Sequence, residues 1–143
     1  MLRDPAARAV SLYNYMRIAD QSRKPIDIDT FLFKWMARQL EFRSAPVDQQ
    51  NAPGHSFHFV RPQVDFITTR DGAVMVRDVF LLEQIKEDFP TIQSRSGLRS
   101  PLEHRNKSVQ HVTRGDLNQA QLEFIREAYA PDYAFLASLK MGS

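Results

Sequence analysis

Val64-Asp65-Phe66-Ile67, Val74-Met75-Val76 and Val79-Phe80-Leu81-Leu82 are the stretches whose reading decides the fold. The first two are short and rich in β-branched residues, and Asp71-Gly72 between them has the composition of a tight hairpin turn. The third is apolar throughout, too apolar for a strand with one solvated face, so it is expected at the centre of a sheet. Just upstream, Phe57-His58-Phe59-Val60 opens this apolar block.

Helical periods flank the block on both sides. Asp4-Pro5 is a helix start, because Asp caps orphan amides and proline at the first helical position loses no bond. Ala6, Ala9, Val10, Tyr13 and Met16 then recur at helical spacing, with Ser11 just off that stripe and Arg8 four positions after Asp4. A second helix is expected over residues 29–41, with Phe31, Leu32, Trp35, Met36 and Leu40 inward. Residues 21–28 read as a connection and residues 43–56 as a long loop. A third helix is expected over 83–96, with Ile85, Phe89 and Ile92 inward and Gly97 as a left-handed terminator. Pro90 is expected to shorten or kink it. Asp116 and Gln119 have capping-box spacing before Leu122, Ile125 and Tyr129. Pro131 should end that helix, leaving Tyr133, Phe135 and Leu136 in a short docking turn.

Composition bounds the function. At 143 residues, 43% hydrophobic and 25% charged, the chain suits one packed domain over 1–143. A chain of this size buries roughly 68% of its unfolded surface. Nineteen Lys and Arg against 17 Asp and Glu leave a formal charge of +2, which excludes a polyanion wrapper and argues against nucleic acid as a partner. There is no cysteine, so disulfides, thiolate chemistry and cysteine-held metals are excluded, and four scattered histidines suggest no metal site. No apolar run approaches the roughly 20 residues of a membrane span, and the first residues lack the pattern of a signal peptide; a cytoplasmic protein without a membrane role is expected. Residues 95–114 form a local basic stretch, with Arg95, Arg99, Arg105, Lys107 and Arg114 against Glu103.

The chemistry centres on Leu2-Arg3-Asp4-Pro5-Ala6-Ala7-Arg8-Ala9-Val10-Ser11-Leu12-Tyr13. Arg3 stands just before a helix and Ser11 about two turns into it. A guanidinium and a hydroxyl placed so can share a phosphate. The same residues also suit a capped helix with a surface arginine.

This stretch resembles the sulfotransferase site for the 3′-phosphate of the activated sulfate donor, in which an arginine precedes a helical serine by eight residues. Residues 58–63, 79–89 and 101–108 resemble further segments of the carbohydrate sulfotransferase branch, as does the closing pattern from Leu122 to Phe135 with Tyr129 and Asp132-Tyr133. The resemblance implies an incomplete P-loop-NTPase-like α/β fold with a small β-hairpin and several flanking helices. It implies transfer of a sulfuryl group from 3′-phosphoadenosine-5′-phosphosulfate to a carbohydrate hydroxyl. Arg3 and Ser11 would contact the donor's 3′-phosphate, and Lys107 the phosphate or sulfate groups. Arg61 and Gln63 would lie near the acceptor, with His58 as the candidate general base, and Glu83 would order a strand-to-helix turn. Asn106 and Ser108 flank Lys107 in the family's basic loop.

None of the five glycines forms a phosphate loop, so the chain reads as the C-terminal portion of such an enzyme. Its exposed sheet edges would then call for a homo-oligomer. The alternatives are a noncatalytic module that binds a phosphate or nucleotide, and a structural or assembly module whose basic 95–114 loop meets an acidic partner.

Overall fold

A computed structural model describes residues 1–19, 25–50, 56–103 and 109–141. Helix α1 (Pro5–Ala19) begins as its sequence requires: the Asp4 carboxylate accepts from the Ala7 amide at 2.8 Å. Ala6, Ala9, Val10 and Tyr13 are buried, one face of a 3.6-residue period. The next helical path starts as a π-helix over Thr30–Met36, continues as α2 (Ala37–Leu40) and tightens to a 3-10 turn over Glu41–Ser44. Asp27 accepts from the Thr30 amide and hydroxyl at its start, bonds that hold the Asp27 carboxyl below its ordinary range. Phe31, Leu32 and Met36 from this path are fully enclosed, with Phe31 stacked on Trp35 at 5.3 Å.

Short helices follow as α3 (Val47–Gln50) and α4 (Phe57–Val60). Phe57 and Val60, three apart, point inward together, which turns His58 and Phe59 outward. A 3-10 turn over Gln63–Phe66 comes next, and a second over Leu82–Gln84 leads into α5 (Ile85–Ser96). Helices α6 (Gln119–Ala128) and α7 (Ala130–Met141) complete the described chain. α6 lies against α1 and against the π-helix, and α7 against the turn at 63–66. Ile125 and Tyr129 join Phe31, Leu32, Met36, Phe57 and Val60 in one core.

The fold is therefore helical, and the expected α/β class is corrected. Among the described residues there is no β-sheet, only the isolated bridges Leu2 to Leu81 (parallel) and Thr68 to Val74 (antiparallel). Val64-Asp65-Phe66 winds into the 3-10 turn. The chain does reverse at Asp71-Gly72, with Gly72 at φ +88° and the Thr69 amide bonded to the Ala73 carbonyl. Beyond the turn the pairing extends only through the Thr68–Val74 bridge to the Met75 amide on the Ile67 carbonyl at 2.8 Å, too short for a hairpin of strands. Val74, Met75 and Val76 lie exposed, and Val79 to Leu81 pair through the backbone with Leu2 alone among the described residues, so neither run sits inside a layered sheet. A strand is stable only where other strands satisfy its backbone and a layer covers its side chains. Neither condition is met.

Smaller expectations divide. Gly97 does close α5, at φ +73° with its amide on the Gln93 carbonyl at 2.9 Å. α5 runs through Pro90 rather than ending there, and none of its residues is fully buried. The capping box falls elsewhere: Asn118 and Gln121 cap α6 reciprocally at 2.9 Å, while Asp116 accepts from the Thr113 amide and hydroxyl. The chain breaks at Tyr129, and the expected docking turn after Pro131 is the 12-residue helix α7. Within the expected 43–56 loop, residues 43–44 and 47–50 are in helical turns, and part of that loop and of the expected 21–28 connection lies outside the described residues.

Candidate functional site

An open cleft of about 390 Å³ lies between α1 and α4, lined by Arg3, Arg8, Ser11, Leu12, Tyr15, His58 and Phe59. Helical spacing builds one wall. Arg8, Ser11, Leu12 and Tyr15 are related by three, four and seven residues, so they share the face of α1 turned away from its buried stripe. The exposed half of α4 supplies the other wall through His58 and Phe59, whose rings lie 4.0 Å apart.

Arg8 joins the two walls. Its guanidinium donates to the Arg61 carbonyl at 2.7 Å and the Phe59 carbonyl at 3.0 Å, and sits 5.9 Å from the centre of the Tyr129 ring. These carbonyls are the unpaired acceptors at the end of α4, where a cation is favoured. Burial pushes the Tyr129 hydroxyl well above its ordinary range, against the pull of Arg8, and that hydroxyl donates to the Val60 carbonyl at 2.7 Å. Arg8 thus keeps its positive charge at the cleft without a carboxylate partner among the described residues.

Arg3 is positioned by its backbone. The Gln63 side chain accepts from the Arg3 amide at 2.9 Å and donates to the Arg3 carbonyl at 2.7 Å, as a neighbouring strand would. Gln63 is itself held at its own amide by the buried Asp132 carboxylate, at 2.9 Å, and Asp132 also accepts from the Val64 amide at 3.0 Å. The Arg3 side chain stays one-third exposed, with its Nε 3.7 Å from Glu83 Oε1. That separation is an ion pair without a hydrogen bond. Ser11 Oγ has no hydrogen-bond partner among the described residues.

The structure therefore brings Arg3, Ser11 and His58 to one cleft and leaves Arg61 and Gln63 off its walls. Arg61 faces Asp65 at 3.6 Å and the Phe66 ring at 5.2 Å. Gln63 is spent on Arg3 and Asp132. Lys107, with Asn106 and Ser108, lies outside the described residues. Arg8, Leu12, Tyr15 and Phe59 are the lining residues that motif reading did not assign to a site, although the spacing of Arg8 and Tyr15 from Ser11 marks those two. Among the described residues no three His, Asp or Glu side chains gather as a metal cage.

The cleft can hold an anion: two arginines, a serine and a histidine line it, and no carboxylate among the described residues does. The sulfotransferase assignment does not survive the fold. A sulfuryl-transfer site for 3′-phosphoadenosine-5′-phosphosulfate and a carbohydrate hydroxyl, with His58 as base, presupposes a β-sheet whose strand ends carry the donor, and the described residues form none. The expected homo-oligomer rested on open sheet edges, so its reason goes as well. No helix among the described residues is long and apolar enough to cross a membrane. No protein family, curated protein or solved structure matches this chain.

Proposed function

We propose that the chain is a noncatalytic binding module that takes a phosphate-bearing anion in the cleft between α1 and α4. One observation carries this reading: Arg3, Arg8, Ser11 and His58 line a single cleft that no carboxylate among the described residues lines. Arg3 supplies the charge-assisted bonds, Ser11 a neutral donor, and Arg8 fixed positive charge that costs no reorganisation because two carbonyls already hold it. The exposed rings of Tyr15 and Phe59 offer apolar surface to whatever the phosphate is attached to. A cytoplasmic setting accompanies the proposal, since a cysteine-free chain tolerates a reducing compartment.

Titration with inorganic phosphate, followed by amide and side-chain NMR shifts at constant ionic strength, tests it. Saturable shifts at Arg3, Ser11 and His58 are expected. Arg3→Ala should weaken binding about tenfold to a hundredfold, and Ser11→Ala several-fold. Shifts that never saturate, or that persist in the Arg3→Ala, Ser11→Ala double variant, count against the site.

The assembly reading has less support. Of the basic residues in 95–114, Arg95 is engaged by Asp78, and Arg114 by Asp4 at 3.0 Å. That contact raises the Arg114 pKa further. A partner seeking free positive charge finds little of it there among the described residues.

A further inference from the structure

Glu83 stands just before α5, far along the chain from Arg3, yet its carboxylate makes two contacts with the start of the molecule. Oε1 accepts from the Asp4 amide at 3.1 Å and lies 3.7 Å from Arg3 Nε. The first is a hydrogen bond to backbone just ahead of α1. The second is a charge contact too long for one, between side chains that are 33% and 42% exposed. Around it the backbone joins the same two segments, with Leu2 donating to the Phe80 carbonyl at 2.8 Å and Leu82 to the Leu2 carbonyl at 2.7 Å. Glu83 is thus a carboxylate of this chain placed against a cation of the anion cleft, while lying outside the cleft walls.

We propose that Glu83 is a tethered competitor at this site: its carboxylate draws on the Arg3 guanidinium, and a bound anion displaces it. The inference rests on the reading of the cleft as an anion site. The geometry favours competition over positioning, because Arg3 is already placed by the Gln63 bracket on its peptide and needs no side-chain partner to hold it. An exposed ion pair is weak, so the competitor lowers affinity without closing the site. Binding and release are reciprocal: if losing the Arg3–Glu83 contact strengthens anion binding by some factor, a bound anion weakens that contact by the same factor. Occupancy of the cleft is then transmitted to the junction that fastens the segment ahead of α5 to the N-terminus.

Glu83→Gln separates the roles, since the amide oxygen can still accept from the Asp4 amide while the charge is gone. In the full chain, phosphate should bind Glu83→Gln up to about fivefold more tightly than the original, with unchanged thermal stability. Phosphate should also speed hydrogen exchange of the Asp4 and Leu82 amides in the unmodified chain, a readout that needs no variant. Equal or weaker binding by Glu83→Gln, with saturable binding by the unmodified chain still lost in Arg3→Ala, overturns the competitor and leaves the site standing. Slowed or unaltered exchange at Asp4 and Leu82 under saturating phosphate overturns it independently. Absence of saturable binding by the unmodified chain overturns the site and the competitor together.

Discussion

The helical centre and the segment from 69 to 103 are both supplied with large apolar residues, yet only one of them encloses its share. Phe31, Leu32, Met36, Val60 and Ile125 are each 0% exposed, whereas Val74, Met75, Leu98 and Leu102 are 50, 59, 52 and 44% exposed. The difference lies in arrangement. In α1, α6 and the 30–40 path, apolar residues fall on one face, and three helices can turn those faces toward each other. In the 69–103 segment the apolar runs are extended and meet only isolated bridges, and α5 has half-buried residues without a buried one. Hydrophobic content makes burial possible; a facing partner makes it happen.

The sharpest way to break this contrast is to truncate one residue from each region. Phe31→Ala should cost about 3–5 kcal/mol in urea unfolding, as expected for an emptied core position. Met75→Ala should stay within about 0.5 kcal/mol. A comparable loss at Met75 would show that the exposed segment is packed after all.

Asp132 gives an intermediate effect and sharpens the boundary between the regions. Its carboxylate is 1% exposed and satisfies two backbone amides and the Gln63 side chain. Asp132→Ala leaves those donors buried without a partner, a loss of about 1–3 kcal/mol. Phosphate binding should fall with it, because Gln63 then loses the contact that steadies its hold on Arg3. Stability and affinity moving together in that variant would place the bracket in the helical centre; affinity alone would place it in the site.

The smallest expected effect is in the acid limb. Bonds from the Thr113 amide and hydroxyl hold the Asp116 carboxyl below its ordinary range, and Asp116 is fully exposed. A carboxyl depressed in the folded state contributes stability above its unfolded pKa of about 3.9 and loses it as pH falls through the folded value. Asp116→Asn should flatten that slice of the stability profile below about pH 4, measured by denaturant unfolding at stepped pH. Little change in slope would show that the turn at 114–116 is held by its packing.

The sequence makes the helices legible in proportion to how locally they are determined. α1 could be read because Asp4-Pro5 marks its start and the stripe of Ala6, Ala9, Val10 and Tyr13 runs unbroken. Gly97 could be read because a left-handed residue after a helix is a local demand on backbone sterics. The runs at 64–67, 74–76 and 79–82 could not, since stretches of three or four residues carry no period that separates a strand from a turn. Their outcome depends on whether distant segments arrive to pair with them, and among the described residues only Leu2 forms a backbone bridge with Leu81. The family resemblance carried a sheet into the expectation that the backbone does not form. Within the cleft, Arg3 and Ser11 were legible as a pair. Arg8 was hidden in plain spacing, one turn before Ser11. Gln63 and Asp132 were not readable as a bracket, because no local rule relates a glutamine to a peptide 60 residues away or to an acid 69 residues on.

That bracket also sets a timetable for synthesis. Asp132 belongs to α7, so a growing chain emerging from the ribosome has made α1 long before the acid that secures Gln63 exists. The Asn14 side chain waits similarly, for the amides of His111 and Val112. The nascent N-terminal third consequently meets its early anchors, the Phe59 and Arg61 carbonyls that hold Arg8, well before the Asp132 and 111–112 contacts can form.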